Sequence, residues 1–342
     1  MAIDMDAQKS VLTMAAAPVR RSRLRIGDEL ALLQLIGVAV IVGSLLHPAF
    51  LTPTNLINVL QQSSELSVLV LAEAIILIVG KFDLSLESIV GVAPMFAAWL
   101  VSSTAINGSG LMVNPYLAVL LIFVVGIAVG TFNGWLIVRL KLNAFITTLA
   151  MLILLRGISI GMTNGRTLYD LPGPLLYLGN AHWLGLPASV WVSAGLYLTG
   201  SIVLSNHRFG RALYAIGGNA EAARAAGIRV DQYIWTVFAI GGGLAALSGL
   251  MLTGRMASVL SGQGQNMIFT VFAAAVIGRI SLNGGKGSIL GALCGVILLG
   301  IISNILTLSN VETFWISATY GAIILLSLIV TRLTAGKSYR SD

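Results

Sequence analysis

The sequence predicts an all-α integral membrane protein, and three observations carry the prediction. Hydrophobic residues form 57% of the chain and charged residues only 10%, whereas soluble domains carry about 25% charged residues and cannot enclose this much apolar surface in a core. The apolar stretches are continuous rather than alternating, which excludes a β-barrel and leaves helices as the way to satisfy backbone polar groups in lipid. The basic residues also fall in alternate connections, as topology in a bilayer demands.

About 20 apolar residues cross a hydrocarbon core. The runs 30–50, 55–80, 86–104, 115–138, 143–162, 188–205, 232–253, 266–280, 287–307 and 314–331 therefore predict about ten transmembrane helices. Residues 1–29 read as a cytoplasmic tail, because the basic cluster Arg20, Arg21, Arg23 and Arg25 follows the mildly apolar "VLTMAAAPV", reversing the order of a signal peptide. Residues 30–331 form the membrane domain, and 332–342 a second cytoplasmic tail. With both termini inside, the cytoplasmic side holds Lys9, the Arg20–Arg25 cluster, Lys81, Arg139, Lys141, Arg208, Arg211, Arg224, Arg229, Arg279, Lys286, Arg332, Lys337 and Arg340. Only Arg166 and Arg255 fall outside, and Arg156 lies within a span. The net charge of +7 is thus an orientation signal, and a nucleic-acid partner is excluded in favour of membrane lipid. The single cysteine, Cys294, excludes an internal disulfide and reads as a packing residue.

Two connections are long: 163–187 outside and 206–231 inside. In the inner one, Asn219 is an N-cap signal, Glu221 falls in the first turn, Arg224 in the last, and Gly227 follows as a C-cap. These signals specify a short helix over 220–226, smooth with Ala222 and Ala223, and Gly217 and Gly218 permit a sharp turn before it. The alternative is an ordinary solvated connector. On the outside, Tyr169, Tyr177 and Trp183 suit the interfacial belt.

Ionisable groups at membrane depth point to a pathway. The second span carries Asn58, Gln62, Glu65 and Glu73 within an arc of about 80° at 100° per residue. Two readings stand side by side: the stripe lines a pore, or it pairs with neighbouring helices and with Arg156. Asp83 and Glu87 are expected to cap and charge the start of the third span, a structural role. Asn133 and Asn143 are expected to bond between helices. "NGGKGS" (283–288) lacks the spacing of a phosphate-binding loop, so no ATP site is expected. His47, His182 and His207 are scattered, so neither a metal site nor an intramembrane enzyme is indicated.

The segment "FGRALYAIGGNAEAARAAGI" resembles the cytoplasmic coupling loop of the ribose/xylose/arabinose/galactose-type permeases of bacterial ABC importers. "GKFDLSLESIVG", "GTFNGWLIVRLKLNAFITTLAMLILLRG" and "SLNGGKGSILGALCGVILLGIISNIL" extend the similarity over about 55–329. The resemblance implies a type II ABC importer-like permease fold in the bacterial inner membrane, working as a dimer with a second permease copy or a paralogue. A cytoplasmic ABC ATPase pair, which binds the ATP and Mg, would drive it, and a periplasmic sugar-binding protein would deliver a monosaccharide or polyol. It also implies that Gly210, Gly217, Gly218, Asn219, Glu221, Ala222, Ala223, Arg224 and Gly227 couple to the ATPase, and that Arg166 and Arg255 dock the binding protein. The chain departs from the family pattern at Lys81 and Phe82, at Arg279 and Ile280, and at Ile268 and Thr270, where acidic residues are expected. A branched-chain amino-acid importer permease and a secondary transporter remain the alternatives.

Overall fold

In the computed structural model the described residues are 26–337, so the basic cluster 20–25 and the end of the C-terminal tail lie outside them. The helices are α1 (Ile26–Leu46), α2 (Pro53–Ile78), α3 (Leu86–Val101), α4 (Pro115–Arg139), α5 (Ala144–Thr163), α6 (Gly173–Asn180), α7 (Ala188–Asn206), α8 (Arg208–Gly218), α9 (Ala220–Ala225), α10 (Val230–Met256), α11 (Met267–Ile277), α12 (Ile289–Leu308) and α13 (Thr313–Lys337). A two-residue hairpin, β1 (His182–Trp183) with β2 (Leu186–Pro187), pairs His182 with Pro187 and Trp183 with Leu186. Each of the ten apolar runs read from the sequence overlaps one of these helices. Among the described residues six, namely α2, α4, α5, α7, α10 and α12, are long and apolar enough to cross a membrane. Shorter apolar stretches occupy α1, α3, α11 and α13.

Local chemistry sets the helix ends. Asn114 accepts from the Tyr116 amide at 2.9 Å ahead of Pro115, whose missing N–H is harmless at the first helical position. Asn143 accepts from the Ile146 amide at 3.2 Å and so caps α5. The expectation that Asn143 bonds between helices is therefore corrected: its Oδ1 caps its own helix.

The chain uses one plan twice. A long helix (α2; α10) leads through a turn to a short one (α3; α11), then to a long one (α4; α12), and residues 140–143 and 309–312 lead on to α5 and α13. The packing follows the same rule, with α2 against α12 as α10 is against α4, and α3 on α4 and α5 as α11 is on α12 and α13. The first helix of each half packs on the other near the middle of the molecule. Within its apolar window 83% of α2 is buried, against 22% of α4, so α2 is the central strut and α4 presents a broad outer face.

The short helices begin inside the bundle. After α2 the chain turns at Gly80 (φ 74°) and returns alongside it, so that the Asp83 amide donates to Glu73 Oε1 at 3.4 Å. Asp83 Oδ1 accepts from both the amide (2.9 Å) and the hydroxyl (2.6 Å) of Ser85, and that hydroxyl accepts from Asn133 Nδ2 at 2.7 Å. Asp83 thus fixes the turn ahead of α3, while Ser85, the cap residue, makes no side-chain cap bond. The expected capping by Asp83 is corrected to this turn, and Asn133 links α4 to the start of α3 as expected of a residue bonding between helices. The second return follows α10: Gln263 Nε2 donates to Val90 O (3.0 Å), Gly249 O (3.3 Å) and Thr253 Oγ1 (3.1 Å), drawing 257–266 inward between α3 and α10. The 11 residues of α11 then span only about 16 Å, roughly half a hydrocarbon core.

Close backbone approach holds α4 to α10. A Cβ at Gly242 would lie 2.1 Å from Gly126 O, and one at Gly126 would lie 2.4 Å from Gly242 O. Such small-residue seams let dispersion and helix–helix contact replace the hydrophobic effect, which does not separate helix from lipid. Gly242→Ala should therefore cost about 1–3 kcal/mol of overpacking. Gly157→Ala, on an open face, should cost close to nothing. Thermal unfolding of the two variants in one detergent checks the contrast.

Candidate functional site

The inner connection holds two helices where one was expected. His207 Nδ1 accepts from the Phe209 amide at 3.2 Å and opens α8, which buries Ala212, Leu213 and Ile216. The spacing of Phe209, Ala212, Leu213 and Ile216 is an amphipathic helical signal, legible in the sequence. Asn219 Oδ1 then accepts from the Ala222 amide at 2.9 Å and opens α9. At its other end Gly227 (φ 83°) takes the left-handed conformation, with the Ile228 amide donating to Ala223 O at 3.0 Å. On α9 only Ala223 is buried, leaving Glu221, Ala222 and Arg224 exposed. Arg224 lies 2.5 Å from Asp231 Oδ1, both side chains being over half exposed, so this pair adds orientation rather than much stability.

Three backbones meet beneath that surface. The Gly285 amide donates to Ile78 O at 2.9 Å, joining the 281–288 loop to the end of α2. Gly217 lies against both: a Cβ there would fall 1.9 Å from Ile78 O and 2.4 Å from Gly285 N. Tyr214 Oη donates to Gly287 O at 2.9 Å, and burial pushes the Tyr214 phenol pKa up, keeping it a donor. Of the expected coupling residues, Gly210 is packed against Leu204, Gly217 occupies the junction, and Gly218, Asn219 and Gly227 are exposed. Sequence reasoning missed Tyr214, Ile78 and Gly285, whose convergence is tertiary.

The α2 stripe is divided. Asn58 and Gln62 are exposed, whereas Glu65 and Glu73 are 2% and 0% exposed. Glu65 takes Arg255 Nε on both oxygens, at 2.8 and 2.9 Å. Glu73 lies against Asp83 as described above. The pore reading is thus corrected for Glu65 and Glu73, which are enclosed within the chain; the exposed half of the stripe is Asn58 and Gln62. Arg255 is held inward by Glu65, so its expectation as a free docking charge is corrected too. Arg166 is exposed at the same end and donates to Asn107 Oδ1 at 2.8 Å.

Arg156 pairs with Glu87 rather than with the α2 stripe. Glu87 Oε2 also accepts from the Ile268 amide at 3.1 Å, in the first turn of α11, where a carboxylate meets the positive end of the helix dipole. A carboxylate from α3 thus lies at the start of α11, where the chain has Ile268 and Thr270. Phe82, another departure, packs its ring near Phe145 (6.4 Å) and Phe272 (5.9 Å), closing the space between α5 and α11. Among the described residues no three His, Cys, Asp or Glu side chains are grouped to hold a metal.

Removing one partner of a buried pair leaves a stranded charge and costs about 3–5 kcal/mol. Arg255→Met should therefore destabilise the protein by that order, and Glu65→Leu with Arg255→Met should restore most of it. Thermal unfolding of the single and double variants measures the coupling.

A family profile described as "Branched-chain amino acid transport system / permease component" matches residues 55–330. The ribose import permease protein RbsC of Escherichia coli (strain K12) is 33% identical over 308 residues, covering 88% of this chain and 91% of that protein. RbsC of Bacillus subtilis (strain 168) is 32% identical over 297 residues (86% and 90%), and the L-arabinose transport system permease protein AraH of Escherichia coli (strain K12) 31% over 310 (90% and 92%). No solved structure matches the chain. The profile spans most of the chain and these relatives are similar along nearly their whole length, so the chain belongs to this family of transport-system permease components.

Proposed function

We propose that the chain is the membrane-spanning permease subunit of a binding-protein-dependent ABC importer of the bacterial inner membrane, moving a monosaccharide or related polyol. The sugar class follows the relatives, named for ribose and L-arabinose, over the amino acids of the family description. All ten apolar helices cross, with both termini cytoplasmic and a type II importer-like fold. Lys81, Arg279 and Lys286 gather at the end bearing α8 and α9, and Arg166 and Arg255 at the opposite end, in keeping with that orientation.

The observation that carries the reading is the exposed, capped α9, fastened through α8 to the end of the central helix α2. A partner ATPase that holds ATP and Mg grips this surface, and its closure moves α8, the 281–288 loop and α2 as one body. The chain itself catalyses nothing. A second permease copy or a paralogue completes the pathway, with Asn58 and Gln62 on the face available to it. A sugar-binding protein docks at the opposite end, where Arg166 is the accessible cation.

Tagged protein purified gently from native membranes should bring an ATPase with it. Ala222→Arg, which enlarges the exposed face of α9 without touching the junction, should abolish that association while leaving the melting temperature unchanged. Wild-type protein that purifies alone and transports in liposomes without ATP would overturn the assignment in favour of a secondary transporter.

A further inference from the structure

Where α4 ends and α10 begins, the two helices part and leave an open cleft of about 270 Å³ lined by Trp135, Val138, Arg139, Asp231, Gln232 and Trp235. The row Gly126, Gly130 and Gly134 brings α4 against α10; at the next position of that row stands Val138, and the seam opens. The indole of Trp235 lies over Gly134, where a Cβ would fall 2.6 Å from its Cδ1, and its Nε1 donates to Thr131 O at 2.8 Å. Trp135 stacks on Phe132 with ring centroids 6.0 Å apart.

Two exposed indoles in one cleft at the ends of membrane helices mark the boundary between hydrocarbon and headgroups. Arg139 stands one turn beyond Trp135. Along α4 in the other direction Val124, Ile127 and Phe132 are exposed apolar surface. An occupant of the cleft is thus amphiphilic, with a polar head at Arg139 and Asp231 and a chain along α4.

The charges define the head. Arg139 has no ion-pair or hydrogen-bond partner among the described residues, although it shares the cleft with Asp231. Asp231 Oδ1 takes Arg224 of α9 at 2.5 Å, and its second oxygen receives no donor from the described residues. A simple anion would satisfy Arg139 and lie beside a carboxylate; a simple cation would do the reverse. A zwitterion meets both, its phosphate accepting from the guanidinium and its ammonium donating to Asp231. The Gln232 amide adds donors and an acceptor, and the indole of Trp135 a donor. A primary ammonium can donate to the carboxylate, whereas a quaternary one has no N–H to give.

We infer that this cleft binds a phosphatidylethanolamine molecule by its headgroup, with Arg139 on the phosphate, Asp231 on the ammonium and the two indoles as walls. The inference needs only that α4 and α10 cross the bilayer, and not what the chain carries. The lipid shares Asp231 with Arg224, which places it one contact from the exposed surface of α9.

The test is a titration of the purified full-length protein with dioleoyl phosphatidylethanolamine, phosphatidylglycerol and phosphatidylcholine, followed by native mass spectrometry. Phosphatidylethanolamine should bind tightest. Arg139→Ala should weaken it about ten-fold, the equivalent of one charge-assisted hydrogen bond. Asp231→Asn should erase its advantage over the other two lipids, whereas Arg224→Gln, which removes only the other partner of Asp231, should keep that advantage. Equal binding of the three lipids, or a preference for phosphatidylethanolamine that survives both Arg139→Ala and Asp231→Asn, overturns the inference. A preference for phosphatidylglycerol that is lost in Arg139→Ala also overturns it, because the cleft would then be a site for anions. None of these results bears on transport, so each leaves the importer reading standing.

Discussion

At membrane depth there is no water to satisfy a polar group, and that constraint organises this protein around α2. This helix carries two carboxylates and several serines through the bundle, and Glu65, Glu73 and Ser67 find contacts in other parts of the chain. Glu65 receives Arg255, Ser67 Oγ lies 2.6 Å from Ser193 Oγ, and Tyr197 donates to Ser67 O at 2.9 Å. Near its N-terminal end Asn55 and Asn304 exchange amide hydrogen bonds of 2.9 and 2.8 Å. Each pairing fixes another helix relative to α2. The polar interior therefore specifies the arrangement of helices, while dispersion at the glycine seams fills the space between them.

The same constraint shapes the two inward returns. An unpaired extended segment is tolerated within a membrane protein only where protein encloses it. The stretch before α3 is held by Glu73, Ser85 and Asn133, and the stretch before α11 by Gln263 and its three acceptors. A displacement at the α8–α9 surface would pass through the Gly217 junction to the end of α2. From Glu73 on that helix it reaches Asp83 and the start of α3, and thence Glu87. These contacts form a continuous physical route from the surface proposed for the ATPase to Glu87 on α3.

Much of this was legible in the sequence because lipid makes strong demands on composition. Continuous apolar runs overlap the apolar helices, six of them long enough to cross a membrane among the described residues, and the signals at Asn219 and Gly227 located α9. Contacts between distant residues were not legible. Glu65 and Arg255 lie 190 positions apart, so one read as a pore residue and the other as a docking charge until the fold paired them. Asn143 was misassigned because capping and interhelical bonding draw on the same amide. The apolar spacing of α8 is present in the sequence, but the stronger cap signals mark only the helix after it. The departures at Ile268 and Thr270 are visible in the sequence, whereas the contact of the Ile268 amide with Glu87 Oε2 comes only from the fold.

That substitution has a consequence for the doubled plan of the chain. Glu87 is the second residue of α3 and Ile268 the second residue of α11, so matched positions in the two halves carry a carboxylate and an alkyl group. The halves agree in outline but not in electric field. Exchanging the two short helices would restore the outline of the bundle without restoring its charge at these positions.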